Sequence, residues 1–164
     1  MTRRYVFWAG ASALALFLAN RLFGLQSASR AAETFEVSHS DAEWRALLTP
    51  AQYAVLRQDG TEPPGSSLLL NEHRAGIFTC AGCARDLFSA ATKFDSHTGW
   101  PSFWAPLDNA VGETRDASVF MMRTAVNCSR CDGHLGHVFH DGPKPTGLRY
   151  CMNGVAMNFK PAAA

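Results

Sequence analysis

Two short cysteine pairs constrain this chain more than any other feature. Cys80-Ala81-Gly82-Cys83 and Cys128-Ser129-Arg130-Cys131 are separated by 44 intervening residues. Two thiolates three positions apart on a tight turn face one ion, and two such turns complete a tetrahedron around Zn²⁺. A chain that closes such a site must bring two distant segments together. Two disulfides are the alternative where the environment is oxidising. A bridge inside Cys-x-x-Cys closes a very small loop, however, and such bridges are usually redox-active rather than structural. The spacing therefore predicts one structural zinc held by Cys80, Cys83, Cys128 and Cys131. A mixed site drawing on His134 and His137 is the variant to weigh, but it leaves the Cys80/Cys83 pair unexplained.

The fifth cysteine, Cys151, has no such partner. It sits in Arg149-Tyr150-Cys151-Met152-Asn153, so Arg149, Cys151 and Asn153 recur at every second position. In a strand, that period places a guanidinium, a thiol and an amide on one face. A free cysteine is often a small buried hydrophobe. A cation beside it favours the thiolate, the nucleophilic form, over a thiol whose ordinary pKa is about 8.5. His134 and His137 lie just upstream, as a source of protons.

The first 31 residues stand apart. Arg3-Arg4 precede an apolar run from Tyr5 to Ala19, interrupted by Asn20-Arg21 and resumed at Leu22–Leu25. Fifteen residues is short for a span and right for a signal-peptide core. Ser29-Arg30-Ala31 offers small residues to a signal peptidase. The segment resembles a twin-arginine export signal, with an uncleaved anchor crossing through residues 5–25 as the rival. Export points to a bacterial periplasm or cell envelope, anchoring to the inner membrane. The domain proper is then 32–164. Four of the 15 basic residues lie in the first 30, leaving 11 against 14 acidic ones, a net of −3. No basic stripe remains, which argues against nucleic acid as a partner.

From residue 32, Ser40-Asp41-Ala42-Glu43 reads as a capping box with Trp44, Leu47 and Leu48 following at helical spacing. Thr49-Pro50-Ala51-Gln52 opens a second helix with Tyr53 and Leu56 on its stripe, stopped by Asp59-Gly60. Pro63-Pro64-Gly65-Ser66 lies in a loop. After Gly76 come short strands: Ile77–Thr79, Leu87–Ser89, Val119–Val126, Val138–Phe139, and Leu148–Asn158 broken at Gly154. That pattern predicts a mainly β, antiparallel domain behind short N-terminal helices.

Four stretches taken together resemble a known family: Cys80-Ala81-Gly82-Cys83; Lys93-Phe94-Asp95-Ser96-His97-Thr98-Gly99-Trp100-Pro101-Ser102-Phe103; Cys128 through Phe139; and Asp141-Gly142-Pro143-Lys144-Pro145-Thr146-Gly147-Leu148-Arg149-Tyr150-Cys151-Met152-Asn153. In this order they are similar to the B-type methionine-R-sulfoxide reductases, over about residues 36–160. The resemblance implies two antiparallel sheets in a small barrel-like domain, with the zinc away from the active site. It implies Cys151 as nucleophile and Trp100, with Phe139, as the aromatic wall around the substrate. It assigns His134 and His137 to protonating the sulfoxide oxygen, and Arg149, Asp141 and Asn153 to supporting the site. It implies oxidised proteins as substrates, a thioredoxin-like or other thiol as reductant, and a monomer.

Three positions depart from the family pattern. Thr98 stands where many members carry a resolving cysteine, so a single-cysteine cycle is expected. His97 replaces a smaller residue. Gly154 replaces Ser, which suggests a looser loop there. Two rival functions remain: a zinc-stabilised binding module without catalysis, and a zinc hydrolase using His134 and His137 as ligands.

Overall fold

A computed structural model describes residues 34–116 and 123–163. The expected leader, and the first part of the strand expected from Val119, lie outside the described residues. Among them no helix is long and apolar enough to cross a membrane.

Both capping boxes form. Helix α1 (Asp41–Leu47) starts at Ser40, whose hydroxyl accepts the Glu43 N–H while the Glu43 carboxylate accepts the Ser40 N–H. Helix α2 (Pro50–Gln58) repeats this with Thr49 and Gln52, with Pro50 at its first position. Each cap is worth about 1 kcal/mol. Asp59 ends α2 in the left-handed conformation. Trp44, Leu48, Tyr53, Val55 and Leu56 enter the core, but Leu47 stays 61% exposed. Helix α1 ends at Leu47 and the backbone of Leu48 is extended, so the two leucines point apart.

Among the described residues nine strands follow: β1 Gly76–Cys80, β2 Asp86–Ser89, β3 Lys93–Phe94, β4 Ser102–Phe103, β5 Val111–Asp116, β6 Arg123–Cys128, β7 His134–Phe139, β8 Arg149–Met152 and β9 Met157–Pro161. They form two antiparallel sheets, one of order β2-β1-β9 and one of order β3-β4-β8-β7-β6-β5. The architecture of the described residues is mainly β with two short α-helices. The segment expected at Leu148–Asn158 does break at Gly154, and the two strands on either side lie in different sheets. A 3-10 turn, Gly154–Ala156, carries the chain from β8 to β9.

Aromatic side chains fill the space between the sheets. Phe88 of the small sheet stacks on Phe103 of the large one at 4.4 Å, and Phe78 meets Phe103 edge-on at 4.9 Å. Phe88 also tilts against Tyr150 at 5.9 Å. Such pairs contribute about 0.5–1.5 kcal/mol beyond the area they bury. In β8 the alternation is strict: Tyr150 and Met152 are buried, while Arg149 and Cys151 turn to the opposite face.

The four paired cysteines form one cluster, their sulfurs all within 4.8 Å of one another. Cys80 and Cys131 sulfurs are 3.7 Å apart, and Cys83 and Cys128 sulfurs 3.5 Å. Zn–S bonds of about 2.3 Å in a tetrahedron set sulfurs roughly 3.8 Å apart. The knuckles are built alike. Ala84 donates its N–H to the Cys80 carbonyl and Asp132 to that of Cys128, each at 2.9 Å, and both residues have positive φ. Crowding beside Cys128 and Cys131 pushes the Cys80 thiol far up; a divalent cation is what allows four thiolates to coexist. The donor set thus fits a structural zinc, held between the ends of β1 and β6 and hence between the two sheets.

Gly154 is not loose. It is buried, and a Cβ there would lie 1.9 Å from the Ser67 Oγ. Gly154→Ser should destabilise the domain by about 1–3 kcal/mol, with Ser67→Gly restoring most of the loss, as read by denaturant unfolding. Cys83→Ser should abolish stoichiometric zinc in metal analysis and lower Tm by about 10–20 °C.

Candidate active site

Cys151 lies in the middle of the large sheet. Its register partners are His137 on β7 and Ser102 on β4, and residues directly opposite one another share a face. Above that face is a cavity of about 170 Å³ lined by Thr61, Trp100, Arg123, Gly136, His137, Phe139, Cys151 and Asn153. Five of the twelve residues singled out from sequence therefore meet here: Trp100, His137, Phe139, Cys151 and Asn153. Gly136 is demanded by packing, since a Cβ would lie 2.2 Å from the Cys151 carbonyl oxygen. A larger apolar hollow of about 520 Å³ beside Thr61 and Glu62 is lined by no cysteine or histidine.

Arg149 stands beside this cavity. Its Nε and Nη2 donate to the two carboxylate oxygens of Asp141, each at 2.9 Å, and its guanidinium lies 4.4 Å from the Phe139 ring centre. The bond to Asp141, and then the charge of a Cys151 thiolate, hold the Arg149 pKa above its ordinary value. Asp141 itself is exposed, and its pKa is lowered by the same bond. It acts on the site only through Arg149.

The two histidines are not equivalent. His137 lines the cavity, and its Nε2 lies 2.8 Å from the Asp116 carboxylate, which Arg123 also contacts at 2.7 Å. His134 is 2% exposed and stands behind it, ring centres 5.3 Å apart. Burial first, and then the neighbouring charge of His137, push the His134 pKa down, so it is neutral at neutral pH. Neither histidine joins a metal cluster: among the described residues the only group of three or more such ligands is the cysteine tetrad. The hydrolase reading therefore has no metal site to rest on.

Asn153 is buried and committed to the scaffold. Its Oδ1 accepts the Glu62 N–H at 2.9 Å, and its Nδ2 donates to the Leu135 carbonyl at 3.0 Å. Glu62 went unnoticed in the sequence because it precedes a Pro-Pro-Gly loop and belongs to no motif. Its carboxylate accepts the N–H groups of Gly154 at 2.6 Å and Val155 at 2.9 Å, and its carbonyl accepts the indole N–H of Trp100 at 3.1 Å. Asp116 was missed for a similar reason, since Val111–Asp116 is largely polar and exposed and carries little strand signal. Of the departures, His97 is an exposed loop residue pairing with Asp95 at 3.3 Å. Thr98 is different: its hydroxyl lies 3.7 Å from the Cys151 sulfur.

The SelR domain matches residues 48–161. A peptide methionine sulfoxide reductase MsrB of Pseudomonas putida (strain W619) is 58% identical over 120 residues, covering 73% of this chain and 90% of the relative. One of Methanosarcina barkeri is 54% identical over 125 residues, covering 76% and 88%. One of Bradyrhizobium diazoefficiens is 53% identical over 127 residues, covering 77% and 91%. A domain match over most of the chain, with relatives more than half identical across nearly their whole length, places this protein in the SelR (MsrB) family.

Proposed function

We propose that the protein reduces methionine sulfoxide to methionine, taking the R epimer, mainly within oxidised proteins, through attack by Cys151. The observation that carries this reading is the position of the Cys151 sulfur: in a cavity walled by Trp100 and Phe139, directly across the sheet from His137. The aromatic walls receive the apolar methyl group of the substrate. Arg149, fixed by Asp141, favours the thiolate. His137, backed by Asp116, delivers a proton to the sulfoxide oxygen, turning a poor leaving group into a good one. His134, neutral and buried, positions His137.

The chemistry balances in two stages. The Cys151 thiolate and one proton take the oxygen from the sulfoxide, leaving methionine and a Cys151 sulfenic acid. The substrate sulfur gains two electrons and the cysteine sulfur loses two. An external dithiol of thioredoxin type then supplies two electrons and two hydrogens, restoring the thiol and releasing water. Thr98 cannot form a disulfide, and the other four cysteines lie in the metal cluster, so the electrons come from outside. The zinc holds the sheets together and takes no part in either stage.

The decisive assay offers R and S methionine sulfoxide separately, with dithiothreitol, to wild type and Cys151→Ser. Turnover of the R epimer by wild type and none by the variant is expected. Turnover of the S epimer alone, or an undiminished serine variant, overturns the reading. His137→Asn should lower kcat/KM about 10²–10³-fold, and His134→Asn less. We also infer export behind Arg3-Arg4; cell fractionation should find the Arg3→Lys, Arg4→Lys chain retained in the cytoplasm.

A further inference from the structure

Cys151 is the end of a line of hydroxyl groups. The Ser102 Oγ lies 2.7 Å from the Ser96 Oγ, Ser96 lies 2.8 Å from the Thr98 Oγ1, and Thr98 lies 3.7 Å from the Cys151 sulfur. At the far end the Ser102 Oγ is 3.3 Å from the Trp100 carbonyl oxygen. Ser102 is fully buried, so its hydroxyl must find its partners within the protein.

Each hydroxyl has one proton to donate and two lone pairs to accept with. With Ser102 donating to the Trp100 carbonyl, that count sets the direction of the whole line. With Cys151 as a thiol, the S–H donates to Thr98, Thr98 to Ser96, Ser96 to Ser102, and Ser102 to the Trp100 carbonyl. A thiolate has nothing to donate. Once the S–H proton has left to water, the line runs the other way: Ser102 donates to Ser96, Ser96 to Thr98, and Thr98 to the sulfur. The switch requires only rotation of three hydroxyls about their C–O bonds. No bond to hydrogen breaks except the S–H itself.

The rest of the surroundings explains why this matters. The charged groups near Cys151 are Arg149 on its own strand and Arg123 on β6 with its partner Asp116, and the His137 ring faces it from β7. The side towards β4 offers no charge: Ser96, Thr98, Trp100 and Ser102 are all uncharged, and Asp95 and His97 turn outward to pair with each other. On that side the Thr98 hydroxyl is placed to donate to a thiolate.

Resting on the reading of Cys151 as nucleophile, we propose that Thr98 is a further catalytic residue: its hydroxyl, aligned by Ser96 and Ser102, donates a hydrogen bond to the Cys151 thiolate and favours that form. The residue at the position of a resolving thiol thus has a different task, in the attack itself. A hydrogen bond to the charged form shifts a titration towards it.

The test uses the zinc-loaded full chain and iodoacetamide, with alkylation of the Cys151 peptide followed by mass spectrometry across pH. Thr98→Val keeps the shape and removes the hydroxyl; Thr98→Ser keeps the hydroxyl. For Thr98→Val the rate at pH 7 should fall about tenfold, one pH unit of lost thiolate, while the rate at pH 10 stays near wild type. Thr98→Ser should match wild type throughout. Ser102→Ala should give a smaller fall in the same direction, and it carries the test alone if Thr98→Val does not fold. Profiles that coincide with wild type for the folded variants overturn the proposal, as does an equal loss at pH 7 and pH 10. This readout needs no turnover, so a wild type inert towards methionine sulfoxide would sink the reductase reading without touching the alkylation result.

Discussion

Glu62 holds the site together. It is a carboxylate at 9% exposure, and burial of such a group is costly unless it is hydrogen-bonded. The N–H groups of Gly154 and Val155 provide those bonds. Bonds to a charged partner contribute roughly 1.5–3 kcal/mol each. They fix the turn at which the chain leaves β8 for β9, beginning three residues past Cys151. The backbone of the same residue accepts from the Trp100 indole and donates to Asn153. One residue thereby joins the aromatic wall, the end of the nucleophile's strand and the loop that closes the cavity.

The two sheets give this arrangement a rigid base. Cys151 shares its strand with Tyr150 and Met152, which face the opposite way into the interior beside Phe88 and Phe103. Close packing of that kind tolerates little movement, so the nucleophile is positioned by a core it does not enter. The cysteine tetrad clamps the ends of β1 and β6, one strand from each sheet. The metal-binding thiols and the reactive thiol are thus divided in place as well as in task.

Polarity within the cavity is arranged in opposing pairs. Arg149 pairs with an exposed carboxylate, Asp141, and the His137 ring nitrogen lies against a partly buried one, Asp116, which also contacts Arg123. Towards β4 there are hydroxyls only. A thiolate therefore meets cations on one flank and neutral dipoles on the other. Hydroxyls can reorient when the sulfur changes charge, whereas a fixed cation cannot.

Much of this was legible in the sequence because it depends on short spacings. An offset of three positions within each thiol pair sets the metal site, an offset of three from Ser40 to Glu43 sets a helix start, and an offset of two from Arg149 to Cys151 sets a shared face. The sequence by itself also isolated Cys151 as the thiol outside the tetrad. Tertiary structure alone decided which histidine lines the cavity, because His134 and His137 look alike until the sheet buries one behind the other. It alone brought in Glu62, 91 residues from Asn153, and Asp116, 21 from His137. It also turned Gly154 from a suspected slack point into a tight contact with Ser67. The physical reason is one of range: periodicity and capping act within a few residues, whereas the partners of a buried charge are chosen by whichever segments the fold packs against it.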